Sequence, residues 1–199
     1  MTGAEPPPEP PTPEGLATPG DLPTPGDLPT PGDLPTSRDL AAVGAQLGRP
    51  ARGVVAVAHR CPCGLPDVVA TAPRLADGTP FPTTFYLTCP RAASAVGTLE
   101  SGGFMRALAG RLAAEPDLAA AYLRAHEDYL ARRLRLGHVE EIAGVSAGGM
   151  PDRVKCLHVL LAHSLAAGPG VNPLGDEALA ALPQWWAAGP CVDPSPLEV

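Results

Sequence analysis

Proline at short, regular intervals restricts what the first quarter of this chain can fold into. The hexapeptide TPGDLP occurs three times in tandem, over residues 18–23, 24–29 and 30–35. Proline removes a backbone donor, and one leucine in each repeat buries too little apolar surface to offset the entropy of ordering. The sequence therefore predicts a disordered tail over residues 1–48, one globular domain over 49–190 and a disordered end over 191–199.

Charge is divided unevenly between the tail and the domain. Residues 1–48 contain seven acids and one base, and so carry −6 of the formal net charge of −7. The domain is nearly neutral and lacks the basic stripe that binding to a phosphate backbone requires. The charge distribution therefore argues against nucleic acid as a partner.

The sequence shows no targeting or membrane-spanning pattern. MTGAEPPPEP at the N-terminus has neither a basic nor an apolar region, and no stretch approaches the roughly 18 apolar residues of a membrane span. We therefore expect a cytoplasmic protein with no membrane partner. The five cysteines, an odd number, are expected to be reduced thiols, core residues or ligands rather than a disulfide framework.

Three short β-branched runs precede the helical part of the chain. They are GVVAVAH (53–59), DVVAT (67–71) and TTFYLT (83–88). Apolar residues at helical spacing then predict helices over 92–99, 104–112, 116–136 and 151–166, and an amphipathic segment over 175–187. Strands followed by helices favour an α+β fold, with a small antiparallel sheet of about three strands followed by four to five helices.

Thiols and imidazoles form the first candidate site. A tetrahedral zinc site needs four such ligands, and iron accepts similar ones. The candidate ligands are Cys61, Cys89, Cys156, His158 and His163. On a helix, Cys156 and His158 point about 200° apart, so they converge only if the helix begins late. Small thiols packed in the core are the alternative interpretation.

A glycine turn forms the second candidate site. The stretch SAGGMPDR, residues 146–153, precedes a predicted helix, where free N–H groups and the helix dipole favour an anion. Gly148 and Gly149 would cradle the anion, and Arg153 and Lys155 would add positive charge. The residues of a P-loop or a Rossmann fingerprint are absent, so a plain tight turn is the alternative.

A catalytic thiol is a third hypothesis. Cys156 or Cys89 would act as the nucleophile, and His163 or His59 would supply the base. No signature of a cysteine protease is present, and a helical cysteine between apolar neighbours is more often inert.

Four motifs follow one another through the predicted domain: CPCGLPDVV (61–69), DGTPFPTTFYLTCPR (77–91), SAGGMPDRVKCLH (146–158) and GPGVNPLGD (168–176). Together they resemble a known bacterial family, prominent in actinobacteria: domain-of-unknown-function family 501. The resemblance covers residues 50–188 and implies no established activity, substrate or cofactor. The family's recurring gene neighbours, an enolase, a septum-formation initiator and an exopolyphosphatase, imply a link to cell division or phosphate metabolism.

Three functions follow from these features, and we expect the first. It is a small-ligand or metal-binding domain that uses the Cys/His cluster and the glycine-rich helix start. The second is a non-catalytic scaffold that docks a protein partner. The third is a small cysteine-dependent enzyme. Sensitivity of folding to chelators separates a structural metal site from a docking surface.

Overall fold

A three-stranded antiparallel sheet lies between the first helix and the later helices in chain order. The computed structural model describes residues 32–193. The strands are β1 (Val54–Arg60), β2 (Pro66–Thr71) and β3 (Phe85–Leu87), in the spatial order β1-β2-β3. Each overlaps one of the β-branched runs. Every residue of β2 is buried, and because successive side chains point to opposite faces, both faces of this central strand are covered.

Between residues 32 and 193 the chain forms six α-helices. They are α1 (Ser37–Leu47), α2 (Pro90–Ser101), α3 (Phe104–Ala114), α4 (Pro116–Leu136), α5 (Leu157–Ala167) and α6 (Pro173–Ala180). Five of them follow the sheet, so the predicted α+β class is confirmed. The last predicted helical segment is helical only as far as Ala180. Within the described residues, no helix combines the length and the apolar character needed to cross a membrane.

The helix α5 lies at the centre of the core. It packs against β3, α6 and α2. Leu157, Leu160 and Leu161 are fully buried, and the apolar residues extend almost around the helix, as expected for an element enclosed on most sides. The first turn of α5 is therefore held in place by its neighbours.

The structure corrects the predicted boundary of the N-terminal tail. Residues 37–47, predicted to be disordered, form α1. Thr36 and Asp39 make a reciprocal capping box at its start, with hydrogen bonds of 3.1 and 3.0 Å. Asp39 also pairs with Arg60 on β1 at 2.7 Å. Local capping and packing thus outweigh the proline-rich composition. The predictions for residues 1–31 and 194–199 lie outside the described residues.

The structure also moves the start of α5 from Pro151 to Leu157. Gly148 and Gly149 adopt φ angles of +74° and +97°. Their carbonyl oxygens accept hydrogen bonds from the amides of Lys155 and Arg153, at 2.8 and 2.9 Å. These bonds close a compact loop over residues 148–155, and the helix begins only after it.

Candidate functional site

Three side chains with metal-binding and acid–base chemistry meet where α5 begins. Glu100, Cys156 and His158 each place one ligand atom within 4.8 Å of the other two, and all three residues are half-buried. Within residues 32–193, no other group of three or more His, Cys, Asp or Glu side chains meets this distance. We call Glu100, Cys156 and His158 the α5 cluster.

The late start of α5 brings Cys156 and His158 together. Cys156 is the N-cap residue, with extended backbone angles of φ −156° and ψ 110°. Its side chain therefore escapes the helical rotation that would separate it from His158. Glu100 lies in the last turn of α2, and its Oε1 accepts a hydrogen bond of 2.8 Å from the amide of Leu157. This contact satisfies one of the unpaired amides at the start of α5.

Both ring nitrogens of His158 face acceptors. Nδ1 lies 3.3 Å from Oε1 of Glu100, and Nε2 lies 3.1 Å from the carbonyl oxygen of Ala93. The hydrogen bond with Cys156 raises the pKa of His158 to about 9, with burial opposing and Glu100 supporting the rise. An imidazolium, which donates from both nitrogens, matches these partners.

The surroundings of Cys156 favour the thiolate form of its side chain. Burial is the largest single influence and would raise the pKa of Cys156, but the hydrogen bond with His158, the backbone amide of Val159 and the charge of His158 together outweigh it, so the pKa lies below its usual value. The position at the N-terminus of α5 favours a negative charge as well. In the metal-free chain, the lowered pKa of Cys156 and the raised pKa of His158 therefore favour a thiolate–imidazolium pair, which Glu100 contacts from the side of α2.

The α5 cluster opens onto a cavity of about 540 Å³. Cys156 and His158 form part of its wall, and the other lining residues include Gln46, Phe85, Tyr86 and Thr88. The volume lies within the range of about 300–1,000 Å³ that is typical of small-molecule sites. A small molecule in this cavity would contact the thiol and the imidazole directly.

The other two predicted thiol ligands lie outside the α5 cluster. Cys61 follows β1, and its burial raises its pKa to about 11. Cys89 is the N-cap residue of α2 and forms a hydrogen bond with Cys191, which together with burial raises the pKa of Cys89. Both thiols are therefore protonated at neutral pH.

His163 is enclosed in the core, further along α5. Its Nε2 lies 2.9 Å from Asp128, and its Nδ1 lies 3.2 Å from the amide nitrogen of Asn172. The ring stacks on Phe85 and meets Tyr129 edge-on, with centroid distances of 5.7 and 5.2 Å. Protein groups thus occupy both nitrogens, and the structure does not bring His163 into the α5 cluster.

The predicted anion cradle lies in the closed loop before α5. The amides of Arg153 and Lys155 already donate to the glycine carbonyls, while both side chains are exposed. A Cβ atom at Gly149 would lie 2.6 Å from the carbonyl oxygen of Arg153, so this close backbone approach requires glycine. Packing accounts for Gly149, and the anion cradle remains a prediction.

Glu100 is the member of the cluster that the motifs do not predict. It lies on a different helix from Cys156 and His158 and is distant from them in sequence. One physical clue exists, because Glu100 is an acid in the last turn of α2, where the helix dipole disfavours negative charge. An acid at such a position is worth examining for a compensating contact.

A family model described as Protein of unknown function (DUF501) matches residues 57–180. The matched region includes the end of β1, the strands β2 and β3, the helices α2 to α6 and every residue of the α5 cluster. No curated protein and no solved structure matches the chain.

Proposed function

This chain belongs to the family described as Protein of unknown function (DUF501), and we propose that it binds a zinc ion through Glu100, Cys156 and His158. The observation that carries the proposal is the meeting of a carboxylate, a thiol and an imidazole within 4.8 Å beside a cavity. Three protein ligands are the number that a catalytic zinc site uses, with the fourth position left for water or substrate.

The ligand types favour zinc over iron. Thiolate and imidazole are both preferred zinc ligands, whereas the common non-haem iron site combines two histidines with one carboxylate. The negative charges of Cys156 and Glu100 would neutralise a divalent ion, which lowers the cost of placing it in a half-buried site.

The surroundings of His158 also suit a metal ligand. Zinc would bind the neutral imidazole through Nδ1, the nitrogen that faces Glu100, and Nε2–H would donate to the carbonyl oxygen of Ala93. A backbone carbonyl on the second nitrogen is the usual partner that orients such a ligand. Because His158 is protonated in the metal-free chain, binding would release a proton.

The test is zinc content and zinc affinity of the full chain purified under reducing conditions. We expect about one zinc per chain by elemental analysis. Competition with a coloured chelator should show affinity at least about tenfold weaker in Cys156→Ser and His158→Ala, since each removes a ligand. Cys63→Ser is the matched control, because it changes a half-buried thiol outside the α5 cluster in the same way.

Two results would overturn the proposal. One is a wild-type chain that binds no zinc under these conditions. The other is equal zinc affinity in Cys156→Ser and Cys63→Ser, which would place the bound ion elsewhere.

A second candidate function is nucleophilic catalysis by Cys156. The observation that favours it is a thiol at a helix N-terminus, paired with an imidazole and lining a cavity. The thiolate would attack an acyl carbonyl carbon and form a carbon–sulfur bond. The bond from that carbon to the departing oxygen would break, and this oxygen would take the proton of His158. Incubation with p-nitrophenyl acetate should then release nitrophenol and leave an acetyl group on Cys156, detected by peptide mass spectrometry. Equal acetylation of Cys63 would argue against this function.

A further inference from the structure

A second cavity, of about 340 Å³, lies between the end of α1 and the sheet. Its wall includes both cationic and apolar side chains: Arg49, Arg52, Val43, Leu47, Phe81 and Tyr86. None of the residues of the α5 cluster lines it. The cavity is therefore a separate site that the proposed zinc function does not use.

The two arginines of this cavity have no ion-pair partner among the described residues. Arg49 follows the C-terminus of α1, and Arg52 lies just before β1; both are exposed. The charge of Arg52 contributes to the lowered pKa of Asp77, although hydrogen bonds from Thr79 are the main cause. Arg49 and Arg52 thus line the same cavity, and neither forms a salt bridge within residues 32–193.

Apart from Thr71, the remainder of the wall is formed by aliphatic and aromatic residues. Val43 and Val69 are each 1% exposed, so they form a floor within the core. Leu75 comes from the loop after β2, and its Cδ2 would lie 2.8 Å from a Cβ atom at Gly53, which shows how closely this loop packs. An apolar floor with a few polar groups at the rim is the usual make-up of a small-molecule site.

We propose that this cavity binds a small organic carboxylate, with its apolar body on the floor and its carboxylate on Arg49 and Arg52. The planar guanidinium group matches a carboxylate through paired hydrogen bonds. The volume lies at the low end of the usual range of about 300–1,000 Å³, which suits an aryl or short acyl group better than a long lipid chain.

The site shares Leu47 and Tyr86 with the cavity beside Cys156. The two cavities are therefore neighbours, but binding of a carboxylate needs neither the thiol nor a metal. Carboxylate binding can therefore be tested without the zinc proposal. Titrations of the full chain treated with a chelator measure carboxylate binding in the absence of zinc.

The test is calorimetric titration of the full chain with 2-naphthoate, and with 2-naphthalenemethanol as the uncharged comparison. We expect saturable binding of naphthoate and binding at least about tenfold weaker in the double variant Arg49→Gln/Arg52→Gln, since the variant loses both the positive charge and the charge-assisted hydrogen bonds to the carboxylate. Arg106→Gln is the control, because it removes an exposed arginine of α3 outside this cavity.

A cavity-filling variant tests the apolar part of the site. Leu75→Trp should abolish naphthoate binding while leaving the unfolding transition in place. The proposal is overturned if naphthoate shows no saturable binding to the wild-type chain, if the double arginine variant binds it as tightly as Arg106→Gln does, or if the alcohol binds as tightly as the carboxylate.

Discussion

Helix α5 carries two histidines, each next to a carboxylate, in opposite environments. His163 is fully buried, and its neighbours Asp128 and Asn172 engage both ring nitrogens while Phe85 and Tyr129 enclose the ring. His158 is one-third exposed at the side chain and lies beside a thiol and a cavity. Both histidines have polar partners, but only His158 faces a space that a ligand can enter.

The difference separates a structural histidine from a chemically available one. The amide of Asn172 that contacts His163 is fully buried, so replacing this contact with a metal would leave a buried polar group unsatisfied. Around His158, by contrast, the sulfur of Cys156 and the carboxylate of Glu100 can both coordinate a metal ion together with the imidazole. A histidine–carboxylate contact therefore indicates function only when a further ligand group and an accessible cavity accompany it.

The largest effect expected from this comparison is on stability. His163→Ala should lower the free energy of unfolding by about 3–4 kcal/mol, because it empties a buried site and leaves polar partners unpaired. His158→Ala should cost about 1 kcal/mol or less in metal-free protein, because its side chain is partly solvated. Urea denaturation of both variants measures the difference. Equal losses would remove the distinction between the two histidines.

A smaller effect is expected on thiol reactivity. In metal-free protein, iodoacetamide should alkylate Cys156 at least about 100-fold faster than Cys89, because Cys156 is half-buried with a lowered pKa, while Cys89 is 1% exposed with a raised pKa. Peptide mass spectrometry over time gives both rates in the same sample. Added zinc should protect Cys156 and leave Cys89 unchanged. Similar rates for the two thiols would show that the α5 cluster does not activate its sulfur.

The sequence predicts the sheet and the long helix α4 well, because these depend on local periodicity and on glycine and proline at their ends. The helix α1 is not predicted, because the average composition of residues 1–48 is dominated by the proline-rich repeats. A local pattern was nevertheless present: Thr36 and Asp39 form a capping-box spacing, an alanine-rich stretch follows, and Gly48 ends the helix. The average composition of a long segment thus does not predict a short helix that local capping residues specify.

The candidate site is predicted only in part, because it depends on contacts between elements. Cys156 and His158 are two positions apart in sequence, but their convergence depends on a helix start that the loop of Gly148 and Gly149 delays. Glu100 reaches them through packing of α2 on α5, which no spacing encodes. Cys61, Cys89 and His163 have the same chemistry as the cluster members, so residue type alone does not separate ligands from core residues.

The smallest expected effect is on the titration of His158, and it tests why this histidine differs from an ordinary one. In metal-free protein, the ring signals of His158 should titrate with a midpoint of about 9 by NMR. Cys156→Ser removes the largest cause of that elevation while burial continues to oppose the charge, so the midpoint should fall by more than about one pH unit toward the usual value near 6.5.

Two further variants assign the cause. Glu100→Gln should lower the midpoint less than Cys156→Ser does, because Glu100 contributes less to the elevation than the thiolate. Cys63→Ser should leave it unchanged, since Cys63 lies outside the α5 cluster. If the midpoint fell further in Glu100→Gln than in Cys156→Ser, the carboxylate would be the main partner of His158, as Asp128 is a carboxylate partner of His163. The two histidines would then differ only in their exposure to solvent.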